Sequence, residues 1–236
     1  MDDRRLRWVR EGMGAAVRGA VAVLFLCAGA ASAQVPAIGP GVVLPVSYSP
    51  GSRLADGLER LERELAQNHP ELPRAALARA FEFLRRYPVA NRSFVAIADF
   101  DRPSDEPRLN VIRLSDGRVE RFLVAHGSGS GERYATRFSN EHDSHQSSLG
   151  VYLTGEEYQG DHGRSLTLRG MEATNDQAEA RSVVLHGAAY VSEEAARSRG
   201  RVGRSWGCPA VSFTDLDHII DELKGGAVLL VYSSAP

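Results

Sequence analysis

Gly203-Arg204-Ser205-Trp206-Gly207-Cys208-Pro209-Ala210-Val211 leads through small residues to a thiol, and a proline follows directly. Gly207 has no side chain, so a substrate carbonyl can approach the backbone N–H groups beside the sulfur. Pro209 fixes one backbone angle just past the thiol. Upstream lies Val183-Val184-Leu185-His186-Gly187, an apolar run that ends on a histidine. A thiol becomes a good nucleophile when a base takes its proton, and imidazole is the usual base. The first expectation is therefore that Cys208 and His186 form a pair. Such a pair lowers the thiol pKa from its ordinary value of about 8.5, because an imidazolium stabilises the thiolate. His186 is expected at the mouth of a strand, with residues 188–202 carrying the chain round to the thiol as a loop or short helix. The amides of Gly207 and Cys208 are candidate donors for a tetrahedral oxyanion. The group that orients His186 stays open, and a backbone carbonyl would serve. The plainer alternatives are a buried, inert cysteine and a histidine satisfied in the core.

Around this turn, Arg204 and Arg201 are candidates for holding a substrate carboxylate bidentately, or else solvated surface arginines. Trp206 is read either as a pocket wall for a peptide substrate or as a core residue. Five histidines fall between positions 126 and 186: His126, His142, His145, His162 and His186. His142-Asp143-Ser144-His145 offers metal-ligand types three apart, a spacing that is unspecific without a second cluster. These are read as polar loop histidines, with a zinc hydrolase as the minor alternative, testable by bound metal and chelator inhibition.

Working outward, the body of the chain reads as mostly β. Ser93 to Phe100 alternates as a largely buried strand does. Leu109–Leu114 and Val119–Ala125 flank Ser115-Asp116-Gly117, and Asp-Gly is a strong hairpin signal. Gly150–Thr154, Ser165–Leu168, Ser182–Leu185 and Ala227–Tyr232 read as further strands. Thr214–Leu223 reads as a helix with Thr214 as N-cap, ended by Gly225-Gly226. Many short strands predict a sandwich or barrel. Two helices precede it. Leu54, Leu58, Leu61 and Leu65 recur at helical spacing, and so do Leu77, Ala80, Phe81 and Leu84. Pro73 suits the first turn of the second helix, and both helices are expected to pack rather than to hold a cofactor. The expected divisions are a signal at 1–33, a proline-rich linker at 34–51, a helical extension at 52–90 and the β domain at 91–236.

The chain has 236 residues, 43% hydrophobic and 25% charged, as a globular domain with an extension would. A formal charge of −2 argues against a nucleic-acid binder. Lys224 is the only lysine, so almost all positive charge is arginine, the better bidentate partner for carboxylates. Arg4, Arg5, Arg7, Arg10 and Arg18 precede and open onto the apolar run from Ala20 to Ala31, and Ala31-Ser32-Ala33 fits a small-x-small cleavage site. The run is shorter than the roughly 20 residues a spanning helix needs. Export to the periplasm or beyond, without stable membrane insertion after cleavage, is the expectation. Cleavage would remove Cys27 and leave Cys208 as a lone thiol in an oxidising compartment, which suggests a reason for its presence.

Taken together, His186-Gly187 and Gly203 to Pro209 resemble the L,D-transpeptidase (YkuD-like) catalytic domain, and more closely its murein L,D-transpeptidase branch. His126 to Gly131, Phe138-Ser139-Asn140, Ser147 to Tyr152, Tyr158 to Gly163, and Gly170-Met171-Glu172 with Asn175 extend the resemblance over residues 91–232. It implies a β-sandwich or barrel, Cys208 as nucleophile, His186 as base, and acyl transfer on peptidoglycan stem peptides without metal or cofactor. Ser205 matches the Ser/Thr of the motif and Gly187 follows the base, and both are expected, with Arg204 and Trp206, to contribute to substrate binding. Departures are Trp206 where the wider family has His, Pro209-Ala210 before the place of its Asn or Arg, and a longer His-to-Cys interval. They leave open whether an amine accepts the acyl group, making a cross-link, or water does, trimming the peptide. A non-catalytic cell-wall binding module with an unreactive Cys208 is the alternative from a different class.

Overall fold

The structure, a computed structural model, describes residues 53–235. The segments read as signal and linker lie outside the described residues. Helices α1 (Arg53–Asn68) and α2 (Arg74–Arg86) form where the leucine stripes predict them. Pro73 is the N-cap of α2, at φ −66° and ψ 115°. Its missing N–H is not missed there, because the first amides of a helix lack intrahelical acceptors. Among the described residues no helix is long and apolar enough to cross a membrane.

Eight strands follow: β1 (Phe94–Asp99), β2 (Leu109–Arg113), β3 (Val119–Phe122), β4 (Gly150–Gly160), β5 (Gly163–Gly170), β6 (Val184–Gly187), β7 (Ala210–Val211) and β8 (Val228–Tyr232). They make one sheet in the order β3-β2-β1-β8-β4-β5-β6-β7. The β1–β8 and β6–β7 pairs run parallel and the others antiparallel. Beyond β3 the chain runs along the outer edge of β7. Ala125 bridges Ala210 and Gly127 bridges Ser205, so the sheet nearly closes into a barrel.

Side chains alternate between the two faces of each strand, and in the centre of this sheet both faces are covered. Val95, Ile97, Ile112, Val151, Leu153, Val228 and Leu230 form one core with Leu58, Leu65, Leu77, Phe81 and Leu84 of the two helices. Ala96, Ala98, Leu109, Val111, Tyr152, Leu166, Leu229 and Val231 form the other. There α4 (Phe213–Leu223) fills the space with Leu216, Ile219, Ile220 and Leu223. Burial on both faces explains why β1 and β8 read as nearly continuous apolar runs. The short helix α3 (Glu193–Arg199) lies in the connection between His186 and Cys208.

Three details differ from the sequence reading. The N-cap of α4 is Ser212, whose hydroxyl accepts from the Asp215 amide at 3.0 Å; Thr214 already lies inside the helix. Strands β4 and β5 extend well past Thr154 into an exposed arm, with a register shift between Thr154 and Glu157. Strand β7, two residues long, carries too little pattern to be read.

Leu77 is 1% exposed where α2 meets the sheet. Leu77→Ala is expected to cost about 3 kcal/mol, the transfer term plus a cavity. A urea titration should show a lower midpoint with an unchanged slope. A shift below a quarter of that size would mean that α2 is not part of the core that holds the sheet.

Candidate active site

Strand β6 delivers His186 to its end. Its backbone lies opposite Ser165 of β5 and Ala210 of β7. The His186 amide donates to the Pro209 carbonyl at 3.4 Å, which places the residue next to Cys208 against the histidine's own backbone. A Cβ on Gly187 would lie 2.6 Å from the Phe213 ring, so glycine there lets α4 pack over the strand end.

The Cys208 turn is built by Ser205. Its hydroxyl accepts from the Gly207 amide at 3.1 Å and donates to the Cys208 carbonyl at 2.6 Å. Its backbone is held in turn by the His126 carbonyl and the Ser128 amide. Gly207 has φ +127°, and a Cβ there would meet the Gln146 carbonyl at 2.8 Å. Its own carbonyl accepts from the Ser147 hydroxyl at 3.0 Å. Ser205 and Gly207 are thus turn-forming residues in this geometry. The Gly207 amide, a sequence candidate for the oxyanion, is engaged by Ser205.

The half-buried thiol donates to the Ser182 carbonyl at 3.8 Å. Burial pushes the Cys208 pKa up, while the Val184 amide, the Arg181 guanidinium and its own amide oppose that rise. His186 is buried, and Nδ1 lies 3.0 Å from the Gly187 carbonyl. A carbonyl can only accept, so Nδ1 carries the proton and the lone pair sits on Nε2. This carbonyl fills the orienting role that the sequence left open. Burial pulls the His186 pKa down; the Gly187 carbonyl opposes this and His162 adds to it. The His162 imidazole, from the tip of the β4–β5 arm, stacks on His186 with centroids 4.3 Å apart.

The structure therefore brings Cys208 and His186 together through the β6–β7 pairing, with no hydrogen bond between thiol and imidazole. Both shifts favour neutral partners. The expectation of a lowered thiol pKa is corrected on this point: desolvation penalises the thiolate and the imidazolium alike.

The other sequence candidates have definite places. Arg204 donates to the Gly131 carbonyl at 3.1 Å and pairs with Glu132 at 2.6 Å, and Arg201 pairs with the same carboxylate at 3.4 Å. Both pair with Glu132, a carboxylate that is 67% exposed. Trp206 is not a core residue; it is 78% exposed. His142 and His145 point to separate partners, the Ala180 carbonyl and the Trp206 ring. His126 lies outside the named strands, as read, but is not solvated. It is fully buried with Nδ1 2.7 Å from the Arg108 guanidinium, and burial followed by the charge of Arg108 holds its pKa down at about 4. Arg108 also donates to the Val124 and Arg102 carbonyls, which anchors the segment that pairs with the Cys208 turn.

Sequence reasoning missed Arg181. Its guanidinium reaches the Ser139 carbonyl at 2.8 Å and the Gln146 carbonyl at 2.6 Å, and its charge opposes the rise in the thiol pKa. The only hint was a single cation in the segment just before the apolar run of β6. Arg181→Gln should raise the alkylation midpoint of Cys208 above the parent's, because the one cation favouring thiolate is gone. An unchanged midpoint in a pH series with iodoacetamide would show that the guanidinium only ties loops together.

A nearly closed sheet that presents a thiol on a tight turn, beside a histidine at a strand end, defines a class of thiol-bearing β domains. Residues 68–232 match the family described as the L,D-transpeptidase catalytic domain, more than half of the chain. The chain belongs to that family. A search of curated proteins finds no match. Among solved structures, it is similar to an L,D-transpeptidase from Mycobacterium smegmatis, at 13% identity over 60% of this chain and 59% of that one, with a TM-score of 0.37. An L,D-transpeptidase from Mycobacterium tuberculosis H37Rv gives 14% over 60% and 58%, with a TM-score of 0.36. An L,D-transpeptidase from Stackebrandtia nassauensis gives 13% over 82% and 98%, with a TM-score of 0.37. The chain spans less than two thirds of the length of the mycobacterial proteins it matches.

Proposed function

We propose that this protein is an exported L,D-transpeptidase acting on peptidoglycan stem peptides. The observation that carries the reading is the fixed tautomer of His186: Nδ1–H is held by the Gly187 carbonyl, leaving Nε2 as the base. The thiol turns from the Ser182 carbonyl toward Nε2 and gives up its proton as sulfur attacks. The attacked carbonyl is that of the L-centre of diaminopimelate in a stem tetrapeptide. The S–C bond forms and the tetrahedral oxyanion develops beside the Cys208 amide. The C–N bond to D-Ala then breaks, and His186 returns the proton to the leaving amine. An acceptor amine attacks the thioester and gives a proton to Nε2 of His186; the new C–N bond forms, the S–C bond breaks and His186 passes that proton to sulfur, restoring the thiol. Neutral partners suit this route, because the proton moves during attack rather than before it.

The test is intact mass spectrometry of the protein with disaccharide-tetrapeptide. An adduct of the acyl fragment on Cys208, with release of D-Ala, is the expected result. Its absence with substrate consumed would overturn the cysteine route. Products made with and without an amine acceptor distinguish cross-linking from trimming.

A further inference from the structure

Two residues before the thiol, the chain holds a large flat side chain out in water. Trp206 is 78% exposed, while the other exposed large apolar residues among those described run from 41% to 58%. One face of its indole is covered. The His145 imidazole lies against it with centroids 5.0 Å apart and planes 6° from parallel. Both plates are held by backbone. The indole sits between Ser205 and Gly207, whose turn is bonded on three sides. The His145 carbonyl accepts from the Gly129 amide at 2.8 Å, and His145 keeps φ +53°, a left-handed conformation that a side chain rarely adopts. In the chain just before His145 stand exposed Glu141, His142 and Asp143, the carboxylate of Asp143 being 90% exposed.

We propose that the open face of Trp206 is a stacking platform for a pyranose ring of the glycan strand that carries the stem peptide, a proposal that rests on the function given above. A pyranose has a flat face of C–H bonds and a rim of hydroxyls. An electron-rich indole matches the face, and the exposed Glu141 and Asp143 carboxylates, which precede His145 in the chain, are of the type that binds a rim of hydroxyls. The stem peptide offers no such flat apolar face. The spacing agrees. Cα atoms two residues apart are at most about 7 Å apart, and three extended peptide residues span on the order of 10 Å. A scissile carbonyl at Cys208 therefore leaves the sugar end of the peptide within reach of the indole.

The chain has two tryptophans, Trp8 and Trp206, so Trp206→Phe isolates the signal of the second. The probes are the GlcNAc–MurNAc disaccharide without peptide, and the free tetrapeptide without sugar. The disaccharide should change the fluorescence of the full chain saturably and leave Trp206→Phe unaffected. Trp206→Ala should raise KM for the disaccharide-tetrapeptide about tenfold more than KM for the free tetrapeptide, with kcat for both moving little, and Trp206→Phe should recover most of that loss. No saturable change with disaccharide, or a change with free peptide alone, overturns the proposal; the latter makes the indole a peptide wall. An equal rise of KM for both substrates overturns it too. Sugar binding is read without turnover, so the two readings fail separately. A parent that forms the Cys208 adduct yet ignores the disaccharide sinks the platform alone. A parent that binds the disaccharide but forms no adduct sinks the transpeptidase reading.

Discussion

Cys208→Ser is expected to abolish acyl transfer, lowering turnover by a factor on the order of 10⁴ or more, as loss of a covalent nucleophile does. The variant keeps the shape of the turn, because Ser205 and Gly207 bond through backbone and hydroxyl groups that position 208 does not supply from its side chain. What it loses is acidity. A hydroxyl is far less acidic than a thiol, and the pocket makes matters worse by disfavouring any anion through burial. His186, itself drawn down by burial, is a weak base for such a proton. Release of D-Ala from disaccharide-tetrapeptide, followed by chromatography, checks this. Retention of more than a few per cent of parental turnover in Cys208→Ser would remove the thiol from the reaction.

His186→Ala is expected to cost on the order of 10²–10⁴ in turnover, the usual worth of a positioned general base. The thiol itself should titrate much as before, with its alkylation midpoint above the ordinary thiol range in both proteins. The sign follows from the shifts. Raising the thiol pKa and lowering the imidazole pKa both favour the neutral pair, so removing the imidazole takes little positive charge from the thiol. In the parent, kcat/KM should hold as pH falls through the ordinary histidine value of about 6.5. It should drop only below that, where His186 finally takes a proton and ceases to be a base. A midpoint that rises by a unit or more in His186→Ala would establish a thiolate–imidazolium pair instead. His142→Ala should leave both measurements near the parent's, since that exposed ring contacts the Ala180 carbonyl and Asp143 rather than the thiol.

Local signals carried most of the fold and the heart of the site. The Asp116-Gly117 turn, with Gly117 at φ +73°, marked the β2–β3 hairpin. The leucine stripes marked α1 and α2, and an apolar run closing on His-Gly put His186 at the end of β6. What stayed hidden depends on partners distant in sequence. Arg181 matters because carbonyls from residues 139 and 146 converge on it. His126 is followed by Gly127-Ser128-Gly129-Ser130, which reads as open loop, yet Arg108 arrives from another strand and buries it. The arm beyond Thr154 is rich in glycine and polar residues because it is solvated on both sides, so it lacked the alternation that marks a half-buried strand. Trp206 had two readings in the sequence, since only its neighbours could say which side of the turn it leaves.

The bridges from Ala125 to Ala210 and from Gly127 to Ser205 join stretches that the chain visits far apart. Such a seam is slow to form, because the entropy of closing a long loop is lost before any contact rewards it. The thiol turn hangs on that seam. While the chain folds, Cys208 therefore behaves as an ordinary, freely accessible sulfhydryl, open to oxidants and to mixed disulfides. Once the barrel zips, the same sulfur is half-buried and burial disfavours its thiolate. Time-resolved trapping of Cys208 during refolding would serve as a clock for the last step of assembly.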